Sequence, residues 1–266
     1  MRRIRYVRMD PTGNLTCLVL DRVAPEERAA VTAALLDRCE QVGYLMPSGE
    51  MDRDIRLEMM GGEFCGNASM AAATFLCREK GLRPGQEAAV TLEVSGAVKP
   101  VHCRIRALAE GAWEGTVEMP SIADLTEETI LGERLIAVRM EGMMHLIRRG
   151  AVLPQDAAEQ LLRRLTEVIS APAMGLLQWV DAEKRMIPLV YVRESNTMVW
   201  ETACGSGSTA IGAWQALLRG EGWTETEVDQ PGGRIRVRAE VRAGRIVSVF
   251  ITGVVRYRGA GELKGE

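Results

Sequence analysis

Two stretches decide how this chain is read: Glu63-Phe64-Cys65-Gly66-Asn67-Ala68-Ser69-Met70-Ala71 and Thr202-Ala203-Cys204-Gly205-Ser206-Gly207-Ser208-Thr209-Ala210. With the cysteines aligned, the copies agree at Cys, at the next Gly, at the Ser four places on and at the Ala six places on. A strand-like run precedes each (Ile55 to Met59; Met198 to Glu201), and a helix-like run follows each (Met70 to Leu76; Ala210 to Leu218). Each copy therefore sets a thiol where a strand gives way to the N-terminus of a helix.

That position has a chemistry of its own. The first N–H groups of a helix lack partners inside it, and with the helix dipole they attract an anion. A cysteine there is expected to hold its thiolate more easily, with a pKa falling from about 8.5 towards neutrality. The Gly after each Cys lets backbone approach a ligand closely. Two such thiols facing each other across a cleft could invert an amino acid at its α-carbon. One thiolate removes the α-proton, and the opposing thiol returns a proton to the other face. Fixed N–H donors on the carboxylate would stabilise the anion as charge develops.

The rest of the chain limits the alternatives. Its 266 residues fit one large domain or two ordinary ones, and cysteines 139 residues apart favour two like halves. With 47% hydrophobic and 26% charged residues, the composition is that of an ordinary soluble globule. A net charge of −3 supplies no field for nucleic acid or an acidic membrane. Arg2, Arg3, Arg5 and Arg8 interleave with Ile4, Tyr6 and Met9, which reads as a first strand with one wet face. Arg234, Arg236 and Arg238 read the same way. No apolar stretch nears the ~20 residues of a membrane span, and Met1 to Leu20 lacks a signal-peptide core, so the expected location is the cytoplasm. The expected partner is a small amino acid, with no nucleic acid or membrane; a homodimer is left open.

Six cysteines without a C-x-x-C pair do not form a disulfide framework. Cys17, Cys39 and Cys77 read as small core residues, and Cys103 lies in an alternating run. No metal is expected: a zinc site from Cys65, Cys204 and His145 would lack the close ligand pairs that structural zinc shows. No cofactor is expected either, since no G-x-G-x-x-G after a strand and no P-loop is present. A competing class is a non-catalytic amino-acid binder or a redox sensor in which Cys65 and Cys204 form a switchable disulfide.

In chain order, strands are expected at Ile4 to Met9 and Thr16 to Leu20, then a helix from Pro25 to Val42 stopped by Gly43. Tyr44 to Met51 is expected as a strand and turn, broken by Pro47-Ser48-Gly49, Ile55 to Met59 as a strand, and about Asn67 to Lys80 as a helix. Val90 to Val94, Val98 to Ile105 and Trp113 to Met119 complete the first half. Pro120 marks the boundary. Strands at Leu135 to Met140 and His145 to Ile147 precede a helix at Gln155 to Ile169. Strands follow at Leu176 to Asp181, Met186 to Val192 and Thr197 to Glu201, then a helix from about Ser208 to Arg219. Ile235 to Val241, Ile246 to Thr252 and Val254 to Tyr257 are the last strands. The result is an α+β protein of two like domains with the ligand between them.

Several of these residues resemble the diaminopimelate epimerase superfamily, the cofactor-independent two-cysteine racemases and epimerases. The resemblance rests on Cys65-Gly66-Asn67 and on Ala203-Cys204-Gly205-Ser206-Gly207, with Gly13-Asn14, Glu63, His145 and Thr252-Gly253 in matching places. It implies two pseudo-symmetric domains, each a curled, mainly antiparallel sheet around a central helix, the last strand returning to the first domain. The domains would be 1–119 plus 253–266, carrying Cys65, and 120–252, carrying Cys204. Cys65 and Cys204 would be the base and acid. The amides of Gly66, Asn67, Gly205 and Ser206 would hold the substrate carboxylate, Asn14 would lie against the substrate or its cysteine, His145 would lie at the substrate, and Glu201 or Glu194 would hold its ammonium.

Departures from that pattern bear on the substrate. Arg56 replaces an Asn nine places before the first Cys, Met143 or Met144 replaces another, and Ala171 to Leu177 lacks a third. Glu194-Ser195-Asn196 replaces the family's Glu-Arg-Gly. The grip on a second amino-acid end is thus missing, which disfavours diaminopimelate. The phrase Gly61-Gly62-Glu63-Phe64-Cys65-Gly66-Asn67-Ala68 is instead similar to the histidine racemases of this superfamily, which make D-histidine for opine-type metallophores. Racemisation of L-histidine is the expected activity, with diaminopimelate or another amino acid as the alternative.

Overall fold

Alternating charged and apolar residues at the N-terminus form a strand, β1 (Arg3–Pro11), whose inward side chains Ile4, Tyr6, Val7 and Met9 are buried. The computed structural model describes residues 3–194 and 196–264. Arg2 of the basic run and Ser195 lie outside the described residues. The fold is a sheet-dominated α+β arrangement with four α-helices among the described residues. The chain divides into two units, the first running up to Glu118 and resuming at Thr252, the second spanning Met119–Ile251.

In the first unit β1 is followed by β2 (Thr16–Val19), α1 (Pro25–Leu36), β3 (Gln41–Met46), β4 (Ile55–Met59), α2 (Gly66–Glu79), β5 (Glu87–Val94), β6 (Val101–Ala109) and β7 (Ala112–Glu118). The strands neighbour one another in chain order. The final strand, β16 (Arg245–Lys264), pairs with β1 from Pro11↔Val255 to Arg3↔Lys264 and is also the neighbour of β7, so this sheet closes on itself. Closure removes the exposed edges that invite further pairing. Helix α2 packs against β1, β2, β5, β6 and β7, and every residue from Gly66 to Thr74 is buried. Its run of Ala68, Ala71, Ala72 and Ala73 keeps it slim enough for that enclosure. Gly115 of β7 leaves room for Met70, whose side chain would lie 3.1 Å from an added Cβ.

Two expectations are corrected here. The first helix ends at Leu36, not Val42: Cys39 lies beyond it, donating its thiol to the Leu35 carbonyl at 3.3 Å, and Gln41 begins β3. Gly43 is thus a strand glycine, fitted against Leu57 and Leu18, and not a helix stop. The expected strands Ile246 to Thr252 and Val254 to Tyr257 are one strand of 20 residues. Gly253 does not break it; it leaves space for the Thr12 hydroxyl, which a Cβ would strike.

In the second unit β8 (Ile122–Ile130), β9 (Glu133–Met140), β10 (Met143–Arg149), α3 (Gln155–Val168), β11 (Ala173–Val180), β12 (Arg185–Val192), β13 (Thr197–Trp200), α4 (Gly205–Arg219), β14 (Gly222–Gln230) and β15 (Gly233–Arg242) follow in order. Strands β8 and β14 were missed in the sequence: Thr126-Glu127-Glu128 and Trp223-Thr224-Glu225 alternate, but with too few apolar side chains to register. Helix α3 buries Leu161, Leu162 and Leu165 against Leu146, Met174, Leu176 and Leu189, each leucine contributing about 1.5–3 kcal/mol. Helix α4 packs on β10, β14 and β15. It fits β15 through Gly212, where an added Cβ would lie 2.5 Å from Val237 Cβ.

Since Val237 is β-branched and fully buried, it cannot swing aside. Gly212→Ala is expected to destabilise the protein by about 1–3 kcal/mol through overpacking, outweighing the helix propensity gained. Urea unfolding of the variant measures this as a lower midpoint at unchanged slope.

Candidate active site

Cys65 is the N-cap of α2, with extended backbone (φ −134, ψ 112), and its sulfur accepts the Ala68 N–H at 3.4 Å. Cys204 is the N-cap of α4 in the same conformation (φ −110, ψ 111), and its sulfur accepts the Gly207 N–H at 3.3 Å. In both copies the amide three places on is therefore spent on the thiol, where a Ser or Asp would ordinarily take it. The shared Ser has the same task in each: Ser69 Oγ donates to the Cys65 carbonyl at 2.8 Å, and Ser208 Oγ to the Cys204 carbonyl at 2.7 Å. Helices α2 and α4 begin at Gly66 and Gly205, one and three residues earlier than expected.

The surroundings of the two thiols differ. Half-buried Cys65 donates its thiol proton to Gln41 Oε1 at 3.2 Å. Gln41 Nε2 donates to Thr16 Oγ1 at 2.7 Å, and Thr16 Oγ1 donates to the Asn14 carbonyl at 3.0 Å. That chain of donors fixes which end of the Gln41 amide faces the sulfur. It exists because β2 and β3 run parallel with Thr16 opposite Gln41. Asn14, buried in the turn after β1, is thereby linked to Cys65, and its Nδ2 reaches Glu40 Oε2 at 3.5 Å. The loop before Cys65 is pinned by Ser95, whose Oγ donates to the Glu63 carbonyl at 2.9 Å. Gly96, at φ +69, lies so close that an added Cβ would be 2.8 Å from the Glu63 carbonyl carbon.

Cys204 is fully enclosed, and burial, with the Glu201 carboxylate beside it, pushes its thiol well above the ordinary value. The Ser206 hydroxyl, 3.5 Å from the sulfur, and the Gly207 N–H oppose that rise. The expected fall towards neutrality is therefore corrected for Cys204: removing water outweighs the helix-end donors. Of the two candidate carboxylates, Glu201 is at a cysteine, whereas Glu194 is exposed in the turn after β12.

His145 lies behind Ser206, fully buried, with Nε2 2.9 Å from Ser206 Oγ. Its Nδ1 has no hydrogen-bond partner among the described residues. An unused lone pair is tolerated inside a protein better than an orphaned N–H, so the proton is assigned to Nε2. The Ser206 hydroxyl is then free to donate to sulfur. The parallel pairing of β10 with β11 sets His145 opposite Gly175, where an added Cβ would lie 2.7 Å from the ring Cε1. Burial lowers the His145 pKa to about 3.

Cys17, Cys39, Cys77 and Cys103 are buried, Glu63 is exposed, and Arg56 pairs with Glu93 at 2.8 Å. Arg234 pairs with Asp229 and Glu227 across one wet strand face. Gly66, Asn67 and Gly205 are buried at the helix starts. Among the described residues no group of three His, Cys, Asp or Glu side chains is placed to hold a metal ion, and no helix is long and apolar enough to cross a membrane. Sequence reasoning missed Gln41, Gly96, Gly175 and Gln230. Nothing short of strand register marks the first three, and Gln230 was read only as part of a turn.

Solved structures define the class of fold. A PhzF-family phenazine biosynthesis protein of Bacillus anthracis superimposes with a TM-score of 0.74 at 16% identity, over 100% of both chains. A probable proline racemase of Agrobacterium radiobacter K84 gives 0.74 at 15% identity, over 99% of this chain and 93% of the other. The fold is thus that of the PhzF and proline racemase type. More narrowly, the model of the Histidine racemase CntK N-terminal domain matches residues 3–263, and the chain belongs to that family. The histidine racemase of Staphylococcus aureus (strain Mu50) is 28% identical over 249 residues, 89% of each chain.

His145 yields a pH prediction. The folded protein keeps it neutral down to about pH 3, whereas the unfolded chain protonates near 6.5. Its contribution is present above 6.5 and is lost as pH falls, by up to about 1.4 kcal/mol per unit. In urea unfolding at pH 7 and pH 5, His145→Gln should lose about 1–2 kcal/mol less than the parent over that interval.

Proposed function

We propose that this chain racemises histidine with Cys65 and Cys204 as its acid and base. The observation that carries this is the paired capping: each cysteine caps a helix through its sulfur, in a chain of the histidine racemase family. The enzyme is an isomerase. One sulfur takes the α-proton from one face of the amino acid, and the other returns a proton to the opposite face. In the reverse direction the roles exchange, and no other group need change its charge.

The first two amides of each helix, those of Gly66, Asn67, Gly205 and Ser206, hold the substrate carboxylate and stabilise the carbanion as it forms. Glu201 takes the ammonium and, from the same place, restrains the Cys204 proton. His145 acts through Ser206, whose hydroxyl supports the Cys204 thiolate when it forms. Asn14 acts through Thr16 and Gln41 on Cys65. The mechanism uses only thiols, amides, a hydroxyl and a carboxylate of the chain itself, with no pyridoxal phosphate. We read the two units as pseudo-symmetric copies of a diaminopimelate epimerase-like domain. Their matching strand-to-helix phrases support that reading. D-Histidine made in the cytoplasm for an opine-type metallophore is the expected use of the product.

Incubation of the reduced enzyme with L-histidine in deuterated water should give D-histidine carrying deuterium at the α-carbon. Cys65→Ala and Cys204→Ala should each lower inversion by at least about 10³-fold with unchanged circular dichroism. Wild-type turnover that survives iodoacetamide, or α-deuterium absent from the product, would overturn the mechanism. Diaminopimelate and other amino acids in the same assay decide the substrate.

A further inference from the structure

The strand that leads into the β14–β15 turn of the second unit ends in a buried glutamine whose two amide ends are both used at Cys204. Gln230 is the last residue of β14, paired with Gly233 across the tight turn Pro231-Gly232. Its Oε1 accepts the backbone N–H of Cys204 at 2.7 Å, and its Nε2 donates to Ser208 Oγ at 2.9 Å. Ser208 Oγ in turn donates to the Cys204 carbonyl at 2.7 Å. The same turn is tied to the loop ahead of the cysteine, because the Gly232 N–H donates to the Thr202 carbonyl at 2.8 Å. Gln230 is 7% exposed, and Ser208 is fully buried.

From this geometry we infer that Gln230 is a positioning residue for Cys204, clamping its backbone on both sides so that its sulfur stays on the Gly207 N–H. This rests on the reading of Cys204 as an acid or base. The amide and the carbonyl of Cys204 bracket its only two soft backbone angles. Gln230 holds the first directly and the second through Ser208. With both fixed, the side chain's position over the Gly207 N–H follows. Release either one and the 3.3 Å contact that stabilises a thiolate loosens, while the burial and carboxylate that oppose the thiolate remain. A hydrogen bond to the sulfur strengthens when the thiol gives up its proton, so its loss falls on turnover more than on substrate affinity.

The choice of side chain fits the task. A glutamine supplies one acceptor and a donor on a single rigid plane, as the Cys204 amide and the Ser208 oxygen require. It is neutral, so it can sit beside an ionising sulfur without biasing it. A glutamate would add a second carboxylate to that of Glu201, and a leucine would leave the Cys204 amide buried without an acceptor. Gln41 in the first unit meets its cysteine at the sulfur; Gln230 meets its cysteine at the backbone.

The test compares Gln230→Leu, Gln230→Glu and Cys204→Ala in steady-state racemisation of histidine, with thermal unfolding of each. Gln230→Leu is expected to lower kcat about 10- to 100-fold with KM within about twofold, in line with the loss of one oriented hydrogen bond in the transition state. Gln230→Glu keeps an oxygen for the Cys204 amide and loses the donor to Ser208. It should fall between wild type and the leucine variant, and it carries the test if the leucine variant does not fold. If Cys204→Ala is inactive but both Gln230 variants turn over at the wild-type rate, the inference is overturned and the two-thiol reading stands. A KM that rises as far as kcat falls would also overturn it, by making Gln230 merely structural. If Cys204→Ala itself remains active, the two-thiol reading has failed.

Discussion

The N–H three places into a helix must find an acceptor, and in this protein a cysteine sulfur supplies it twice. Much of the architecture serves that bond. A sulfur cap is long and weakly accepting, so it holds only if the cysteine's backbone is fixed in the extended region and the helix cannot fray away from it. The helix is kept from fraying by enclosure. Alanines and a methionine let α2 lie inside a sheet that closes through β1 and β16, and Gly212 lets α4 lie flat on β15. Each cysteine backbone is then pinned by a Ser four residues on that donates to its carbonyl.

The two caps are alike in backbone and unlike in surroundings, and the difference has a physical consequence. Cys65 is half-buried and hydrogen-bonded to a neutral amide that can accept its proton's hydrogen bond but cannot take the proton. Cys204 is enclosed, beside a carboxylate, with a hydroxyl and an amide on the other side. Desolvation and a neighbouring negative charge both favour the thiol, whereas the hydroxyl and amide favour the thiolate. Two thiols in unlike surroundings can still be brought close in free energy when the burden on each is offset by its own donors. Fully buried Cys204 requires more compensating donors than Cys65, and His145 behind Ser206 helps to supply them.

The parts that could be read from sequence are those where local chemistry settles local structure. The Cys-Gly phrases placed both helix starts within a few residues, because a Gly after a capping residue and an alanine-rich run leave little else to form. Strand β4, from Ile55 to Met59, followed directly from alternation. Illegible were the features set by register. Thr16 meets Gln41, and His145 meets Gly175, only because two strand pairs run parallel with a particular offset. One residue of slip would turn each pair to opposite faces. The pattern of the first helix runs past its true end because Asp37 to Val42 keeps a helical spacing of apolar residues. The tertiary need for Gln41 and Val42 in the sheet overrides it. The raised pKa of Cys204 is illegible for a related reason: helix-end donors are visible in a sequence, and burial is not.

Glutamine recurs at both cysteines, and its neutrality explains why. A charged residue in contact with a thiol positions it and shifts its protonation at once, so the two properties cannot be adjusted separately. An amide separates them. Gln41 orients the Cys65 proton through an oxygen whose direction is fixed by Thr16 and the Asn14 carbonyl. Gln230 holds the Cys204 backbone through an oxygen whose direction is fixed by Ser208. In each case the far end of the amide is occupied by a hydroxyl that itself donates to a backbone carbonyl, so a flipped amide would set acceptor against acceptor there. Charge is then left to one residue, Glu201, at one thiol. With geometry assigned to neutral groups and the electrostatic bias to a carboxylate, the position and the protonation of a thiol are set by different residues.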